Sequence, residues 1–264
     1  MAGKRFALLG ERLGHSLSVP IHRAIIRLLG TEDDYRLAAV PRDRFPTEVP
    51  RLMAELDGFN ITIPYKREIM PYLDRLDPGA ARVGAVNTAV RTPDGWMGCN
   101  TDVAGFAAML QAQGLKAEGE DCWILGTGGA SAAVTAALEG LGARRITLVS
   151  RHPSGDAVGY DAFAEEAAGL LVNATPAGMQ GQADDCPLTP EQLRRVLPRI
   201  TGVADLIYNP PETVLIHAAR AAGIPACNGL YMLVAQAVAA ERLWQGREIP
   251  DEIIPGIMRE VELK

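Results

Sequence analysis

A glycine-rich loop joins a predicted strand to a predicted helix at residues 126–131, which read Gly-Thr-Gly-Gly-Ala-Ser. The apolar run 122–125 precedes the loop, and an alanine-rich stretch over 130–141 follows it. This order predicts a dinucleotide socket, because glycines let the backbone approach a pyrophosphate and a helix N-terminus offers free N–H groups. A glycine triplet alone is weak evidence, and a purely structural turn in another α/β protein is the alternative. The third glycine position holds Ser131, which is small enough to keep the helix close to the strand.

The composition excludes several classes of protein. The chain has 264 residues and a formal net charge of −6, with no basic patch, so we expect no nucleic-acid partner. It contains no run of about 18 apolar residues, so we expect no membrane span, and its N-terminus lacks the apolar core of a signal peptide. The cysteines form no Cys-x-x-Cys pair and the histidines are scattered, which predicts no metal site and reduced thiols in a cytoplasm.

The first hundred residues alternate predicted strands and helices, which indicates helices packed against a sheet. We predict strands at 5–9, 34–39, 59–63, 85–91 and 96–99. We predict helices at 20–29, 45–56 and 67–76, with Ser18 as a plausible N-cap and Gly30 as the stop of the first.

A second alternation follows a connecting helix at 102–113. We predict strands at 122–125, 145–149, 169–173 and 202–207. We predict helices at 130–141, 190–198 and 212–222, at most two turns within 160–168, and C-terminal helices at 230–244 and 250–263.

Polar residues also stand at the ends of predicted strands outside the glycine loop. Asn60 and Thr62 alternate with isoleucines, so a strand puts both on one face, with Lys66 just beyond its end. The ligand crevice of an open α/β sheet lies outside the carboxyl ends of its strands. Lys66 is one of only 4 lysines beside 22 arginines, and an ordinary surface lysine is the alternative reading.

These segments resemble the shikimate dehydrogenase family over nearly the whole length of the chain. The matching stretches are Ser-Leu-Ser at 16–18, Asn-Ile-Thr-Ile-Pro-Tyr-Lys at 60–66, Gly-Ala-Val-Asn-Thr at 84–88, Asn-Thr-Asp at 100–102, Gly-Thr-Gly-Gly-Ala at 126–130, Asn-Ala-Thr-Pro at 173–176, Tyr-Asn-Pro at 208–210 and Gly-Leu-Tyr-Met-Leu-Val-Ala-Gln at 229–236. No single stretch is decisive, whereas all of them in the right order are specific. The family reduces the ring ketone of 3-dehydroshikimate to shikimate with a nicotinamide cofactor, usually NADPH.

The resemblance implies an α/β fold of two domains. Residues 1–101 plus 230–264 would form a substrate-binding domain, to which the C-terminal helices return. Residues 102–229 would form a Rossmann-like NADP-binding domain. The expected partner is a small-molecule substrate, shikimate or 3-dehydroshikimate, and the expected assembly is a monomer or a homodimer.

The resemblance also implies a role for individual residues. Ser16 and Ser18 would bind the substrate carboxylate, with capping of the first helix as the alternative role of Ser18. The remaining substrate-binding residues would be Asn60, Thr62, Asn87, Asp102, Tyr208 and Gln236. The cofactor-binding residues would be Gly126, Thr127, Gly128, Gly129, Ala130, Ser150, Arg151, Ala174, Thr175 and Gly229.

Lys66 and Asp102 would be the catalytic pair. Hydride delivery to a ketone leaves an alkoxide, which needs a proton or a cation beside it. The Lys66 ammonium supplies either, and Asp102 would hold the amine in place. Which of the two groups transfers the proton stays open, and a structural salt bridge is the alternative for the pair.

The end of the second nucleotide-domain strand bears on the choice of cofactor. An NAD enzyme would place Asp or Glu there for the ribose 2′-hydroxyl, whereas this chain has Ser150 and Arg151, which favours NADP. Gly155 stands where the family has a second arginine, so NAD stays an alternative cofactor.

Several other functions fit parts of the sequence. A quinate or aminoshikimate dehydrogenase of the same family would keep Lys66 and Asp102. A methylene-tetrahydrofolate dehydrogenase shares a two-domain plan but not the Ser-Leu-Ser segment. A dinucleotide-sensing regulator is the non-enzyme alternative, which the intact Lys66, Asp102 and Asn60 disfavour.

Overall fold

The structure is a computed structural model in which residues 3–14 and 16–262 are described. The chain divides into two compact units. The first, called the substrate unit here, comprises residues 1–105 and 234–264, and the second, called the nucleotide unit, comprises residues 106–233. Within the described residues, no helix combines the length and the apolar character needed to cross a bilayer.

The substrate unit is built on a six-stranded mixed sheet. Its strands are β1 (Arg5–Gly10), β2 (Asp34–Ala39), β3 (Gly58–Ile61), β4 (Arg75–Leu76), β5 (Thr88–Thr92) and β6 (Gly95–Cys99). Its helices include α1 (Ser18–Leu29), α2 (Phe45–Glu55) and α3 (Pro78–Val83), and α4 (Thr101–Ala112) begins in it. The strand order is β2-β1-β3-β5-β6-β4.

Strand direction places the polar segments at one edge of this sheet. Strands β1, β2 and β3 are parallel, whereas β5 runs antiparallel to both β3 and β6. The carboxyl ends of β3 and β6 therefore lie beside the amino end of β5. Consequently Thr62 after β3, Asn87 before β5 and Asn100 after β6 are brought to neighbouring positions.

The nucleotide unit contains a five-stranded sheet whose strand pairings, among the described residues, are all parallel. Its strands are β7 (Asp121–Leu125), β8 (Arg145–Val149), β9 (Gly169–Asn173), β10 (Ile200–Asp205) and β11 (Ala226–Cys227). Its helices are α5 (Gly129–Gly140), α6 (Tyr160–Glu166), α7 (Pro190–Val196) and α8 (Val214–Ala221), followed by α9 (Leu230–Gln245) and α10 (Ile254–Glu262), which carry the chain into the substrate unit. In the order β11-β10-β9-β7-β8, the chain adds β8 on one side of β7 and then crosses over to add β9, β10 and β11 on the other side. The boundary between β7 and β9 is therefore the topological switch point, where a doubly wound sheet binds its ligand.

Each unit has its own apolar core. Strand β1 is buried on both faces, because Ala7 and Leu9 join one cluster while Phe6 and Leu8 join another. In the nucleotide unit, Trp123 packs with α6, α7 and α8 residues in a separate cluster. The predicted α/β class, with a Rossmann-like sheet and C-terminal helices returning to the substrate unit, is confirmed.

Two local predictions differ from the structure. The predicted helix at 67–76 is wrong, because this stretch holds only a 3₁₀ turn (Met70–Tyr72) before β4. Pro71 explains the difference, since it supplies no N–H for the hydrogen bond that a helix over 67–76 would need at that position. The sequence reading missed α3, which is capped by the Asp77 side chain and ends at Gly84 in the left-handed region. The predicted helix end at Leu263 lies outside the described residues.

The packing of Trp244 on β3 generates a stability prediction. A Cβ at Gly58 would lie 2.4 Å from Nε1 of Trp244, a buried indole that stacks on Phe6 and donates to Ala89 O. We expect Gly58→Ala to lower the free energy of unfolding by about 1–3 kcal/mol, because the indole must move out of a packed site.

The free energy of unfolding is measured by urea unfolding, with circular dichroism as the signal. Gly140→Ala is the matched control, because among the described residues no heavy atom outside its chain neighbours and the backbone of its own helix lies within 4 Å of a Cβ at that position. Equal stability of the two variants would contradict this account of the Gly58 contact.

Candidate active site

An ion pair between Lys66 and Asp102 lies at the polar edge of the substrate unit. Lys66 stands in the loop after β3, Asp102 stands in the first turn of α4, and Nζ lies 2.6 Å from Oδ2. The N-terminal end of a helix favours a negative charge, so α4 supports the carboxylate there. The two side chains keep 22% and 13% of their surface exposed, so the ammonium is accessible to a small molecule.

Asn87 holds the other oxygen of the carboxylate. Its Nδ2 donates to Asp102 Oδ1 at 2.9 Å and to Thr101 Oγ1 at 3.0 Å. Its Oδ1 accepts from the backbone N–H of Thr101 at 2.7 Å. The Asn87 side chain, which is only 3% exposed, therefore fixes both the start of α4 and the orientation of Asp102.

Asn60 lies behind this group in the sheet and is 5% exposed. Its Nδ2 donates to Thr88 Oγ1 at 3.0 Å and to Asn87 O at 3.3 Å. Its Oδ1 accepts from the Tyr35 hydroxyl at 2.8 Å. Both amide hydrogens are thus directed to protein acceptors, and Asn60 joins three strands at the sheet edge.

Ser16 and Ser18 form a pair of half-buried hydroxyls at the start of α1, with their Oγ atoms 3.1 Å apart. The expectation that Ser18 caps this helix is wrong. Helix α1 begins at Ser18 itself, Leu17 occupies the N-cap position, and no side chain makes the capping hydrogen bond. The Ser18 hydroxyl is therefore available for other partners, whereas Gly30 ends the helix in the left-handed region as predicted.

Two further predicted residues lie near the same edge. Thr62 is half-buried, and its methyl group lies against Gly10, where an added Cβ would be 2.7 Å away. Gln236 stands on α9, and its Oε1 lies 3.5 Å from Thr101 Oγ1. The structure thus brings Lys66, Asp102, Asn87, Asn60 and Gln236 together through side-chain contacts within one unit.

The glycine loop of the nucleotide unit has the geometry of an anion cradle. Gly126 has φ +103°, and a Cβ there would lie 3.1 Å from Thr175 Cγ2, so a larger residue would be strained. Among the described residues, no heavy atom outside the neighbouring residues and the helix's own backbone lies within 4 Å of a Cβ built at Gly128 or Gly129. Helix α5 begins at Gly129 without a side-chain cap, which leaves its first N–H groups for a phosphate.

Ser131, at the third glycine position, closes this loop from the helix side. Its hydroxyl donates to Gly126 O at 2.9 Å, and its side chain is buried. The residue therefore adds a hydrogen bond across the loop as well as being small, a contribution that the sequence alone did not indicate.

The strand end that bears on cofactor choice is open to solvent at Arg151. The guanidinium is exposed, and Ser150 Oγ accepts from His152 N at 3.1 Å. Gly155 lies in the left-handed region with φ +58°. This segment presents a cation and a hydroxyl beyond β8 and no carboxylate within 149–155, as expected for a 2′-phosphate.

The other predicted residues of this unit lie at the ends of β9 and β10. Thr175 donates its hydroxyl to Asn173 Oδ1 at 2.7 Å, and Ala174 O lies close to Gly126. Tyr208 is half-buried, and burial raises the pKa of its phenol, which therefore stays neutral. A Cβ at Gly229 would lie 2.1 Å from Leu206 O, so only glycine fits there.

A buried network that the sequence reading missed supports these loops. Asp205, at the end of β10, accepts from Asn173 Nδ2 at 3.0 Å, from Ile207 N at 3.0 Å and from Thr213 Oγ1 at 2.7 Å. Asn173 in turn holds Thr175, and Thr213 caps α8. Burial raises the pKa of Asp205 to about 6, although the three hydrogen bonds oppose the shift.

Comparisons with known proteins agree with this arrangement. A family profile described as the shikimate dehydrogenase substrate binding domain matches residues 8–89. A Microcystis aeruginosa protein named shikimate dehydrogenase (NADP(+)) is 37% identical over 99% of this chain and 96% of its own length. The chain belongs to the shikimate dehydrogenase family.

Solved structures of this family share the fold. A chorismate mutase/shikimate 5-dehydrogenase fusion protein from Clostridium acetobutylicum matches with a TM-score of 0.94 and 34% identity, over 100% of this chain and 98% of that one. Shikimate 5-dehydrogenase from Thermus thermophilus, in complex with NADP(H) and shikimate, matches with a TM-score of 0.87 and 32% identity, over 98% and 99%. The family resemblance read from the sequence is confirmed, and with it the class of NADP-dependent oxidoreductases.

The shikimate dehydrogenase fold in this chain contains no cluster of metal ligands among its described residues. Cys99, Cys122, Cys186 and Cys227 are all free thiols.

Asp205 generates a pH prediction. Its pKa is raised from 3.8 to about 6 in the folded protein, so folding favours the neutral carboxyl. This contribution to stability is complete below pH 3.8 and is lost as the pH rises through 6. The total loss is about 3 kcal/mol, about half of it between pH 5 and pH 8.

We expect the unfolding free energy of the wild type, relative to Asp205→Asn, to fall by about 1–2 kcal/mol from pH 5 to pH 8. Urea unfolding of both proteins across this range measures the difference, in which the other titrating groups cancel. A difference that stays constant with pH would show that Asp205 does not titrate in this way.

Proposed function

We propose that this protein catalyses the reversible NADPH-dependent reduction of 3-dehydroshikimate to shikimate. The observation that carries the proposal is the Lys66–Asp102 pair, with Nζ 2.6 Å from Oδ2 and Asn87 holding the other carboxylate oxygen. A ketone reduction requires a proton source at the carbonyl oxygen, and a lysine fixed beside a carboxylate provides one.

The division of roles follows from the chemistry of the substrate. NADPH, when bound, supplies the hydride. The Lys66 ammonium lies where it can stabilise the developing alkoxide and donate a proton from Nζ. Asp102 orients the ammonium and can accept a hydrogen bond from a ring hydroxyl. Either residue can pass the proton, and the proposal does not depend on which one does.

The other predicted substrate contacts divide into two groups. Ser16, Ser18, Thr62, Gln236 and Tyr208 are half-buried, and we propose that they bind the carboxylate and the ring hydroxyls directly. Both amide hydrogens of Asn60 and of Asn87 already donate within the protein. We propose that these two residues contribute mainly by holding the groups that touch the substrate.

The residues of the nucleotide unit fit a dinucleotide phosphate. We propose that the loop of Gly126, Thr127, Gly128, Gly129 and Ala130 binds the pyrophosphate at the N-terminus of α5. Ser150 and Arg151 would bind the 2′-phosphate that distinguishes NADP from NAD. Ala174, Thr175 and Gly229 would line the cofactor from the adjoining strand ends.

Two properties stay predictions: a cytoplasmic location, and a monomeric or homodimeric state. Family membership removes the methylene-tetrahydrofolate dehydrogenase alternative. Quinate and aminoshikimate dehydrogenases remain alternatives of the same family, since they would use the same Lys66 and Asp102. Relatives named shikimate dehydrogenase (NADP(+)) disfavour a dinucleotide-sensing regulator, the alternative without activity.

A direct assay tests the proposed function. We expect purified protein with NADP and shikimate to produce NADPH, seen as a rise in absorbance at the nicotinamide band, and to be slower with quinate or with NAD. The preference for NADP has a physical reason, because Arg151 can pair with a 2′-phosphate that NAD lacks.

Each departure from that result identifies an alternative. Faster turnover of quinate would reassign the substrate. Tight cofactor binding without turnover of any of these acids would indicate a sensor and contradict the proposal.

Lys66 generates a prediction about the chemical step. We expect Lys66→Ala to lower kcat by about 10²–10⁴-fold, because it removes the cation and proton donor of the transition state. Binding of NADP, measured by calorimetry, should be unchanged, because the predicted cofactor residues lie in the nucleotide unit.

Lys116→Ala is the matched control, since it removes an exposed lysine of the nucleotide unit. Weaker cofactor binding with normal turnover of the bound complex would refute the catalytic role of Lys66.

A further inference from the structure

A continuous series of hydrogen bonds joins Tyr35 on β2 to the carboxylate of the Lys66–Asp102 pair. We propose that Tyr35 is a positioning residue, which fixes the Asn60 carboxamide and, through it, the orientation of Asp102. The inference rests on the proposed function, because it assigns Tyr35 a part in that same site.

The direction of each hydrogen bond in the series is determined by its donors and acceptors. The Tyr35 hydroxyl donates to Asn60 Oδ1 at 2.8 Å, because both hydrogens of Asn60 Nδ2 are used elsewhere.

The opposite end reaches the catalytic carboxylate in three steps. Asn60 Nδ2 donates to Thr88 Oγ1 at 3.0 Å, and the Thr88 hydroxyl donates to Asn87 Oδ1 at 3.1 Å. Asn87 Nδ2 then donates to Asp102 Oδ1 at 2.9 Å. The intervening residues are buried, so a missing member leaves a polar atom away from water.

The sheet explains how Tyr35 reaches Asn60. Strand β1 lies between β2 and β3, with Phe6 opposite Tyr35 and Leu8 opposite Asn60. Phe6 and Leu8 are two residues apart and share one face, so Tyr35 and Asn60 lie on that face too. The phenol ring crosses β1, and its hydroxyl ends at the carboxamide on β3.

The ring of Tyr35 is itself held rigidly. It is fully buried and stacks on His22, with ring centroids 3.9 Å apart and an interplanar angle of 6°. His22 Nδ1 lies 2.7 Å from Glu241 Oε1, which ties α1 to α9. Burial, reinforced by the charge of Glu241, raises the pKa of Tyr35 well above its usual value. The phenol therefore keeps the proton that it donates to Asn60.

These contacts predict the kinetic effects of two variants. Thr88→Val interrupts the series between Asn60 and Asn87, so it should lower kcat and leave KM for shikimate within about twofold.

Tyr35→Phe removes the donor at the start of the series. We expect kcat for shikimate to fall about 10–100-fold, with KM within about twofold, because the buried Asn60 acceptor loses its donor and the group that holds Asp102 is loosened. KM for NADP should stay within about twofold, because the predicted cofactor residues belong to the other unit. The pH profile of kcat should keep its shape, since the phenol holds its proton throughout.

The control variant is Tyr65→Phe, which deletes the hydroxyl of another fully buried tyrosine in the same unit. That hydroxyl donates to Val40 O and lies outside the series. Tyr65→Phe should keep kcat and KM within about twofold of the wild type. Wild-type turnover of shikimate in the same assays tests the proposed function separately.

A double-mutant cycle of Tyr35→Phe with Thr88→Val tests the connection itself. If Tyr35 acts through Asn60 and Thr88, the double variant should have a kcat no more than about twofold below the worse single variant. Multiplied effects on kcat, a Tyr35→Phe enzyme with wild-type constants, or a lost limb in its pH profile would each overturn the proposal. If Tyr35→Phe does not fold, Thr88→Val decides, and unchanged kcat in that variant overturns it.

Discussion

The ion pair between Lys66 and Asp102 is the interaction on which the proposed chemistry of this protein depends. Burying most of a charged amine and a carboxylate is favourable only when further hydrogen bonds satisfy their remaining donors and acceptors. Asn87 and the first turn of α4 provide that completion. The pair is therefore not an isolated surface contact but the exposed end of a buried polar network.

The mixed sheet explains why such a network forms at this place. The reversal of β5 puts an amino end between two carboxyl ends, so loops from distant parts of the sequence converge. Asn60 then donates to acceptors on β5 and in the loop before it, and Asn87 donates to side-chain acceptors at the start of α4. Buried amides of this kind are stable because each hydrogen has a partner, and they fix the geometry that catalysis requires.

The nucleotide unit uses the same principle with different residues. Asp205 gathers three donors at the end of β10 and thereby links the Thr175 loop with the cap of α8. Its raised pKa shows that burial outweighs those hydrogen bonds. Burying the Asp205 carboxyl is unfavourable, but this residue connects loops that we propose bind the cofactor. A cost in stability can therefore serve function at this position.

The sequence by itself determined the α/β class, the glycine loop at 126–131 and the identity of the residues at the polar edge. These signals are local, because glycine geometry, strand alternation and motif order are all written in neighbouring residues. Local rules failed at 67–76, where Pro71 prevents a helix, and at Ser18, which begins α1 instead of capping it.

Only the tertiary structure decided which partners the polar residues have. Tyr35 and Asp205 carried no motif, and their importance arises from contacts across strands that are distant in sequence. The same is true of Asn60 and Asn87, whose amides are used inside the protein. Hydrogen-bond partnership depends on strand register and burial, which no single segment of sequence specifies.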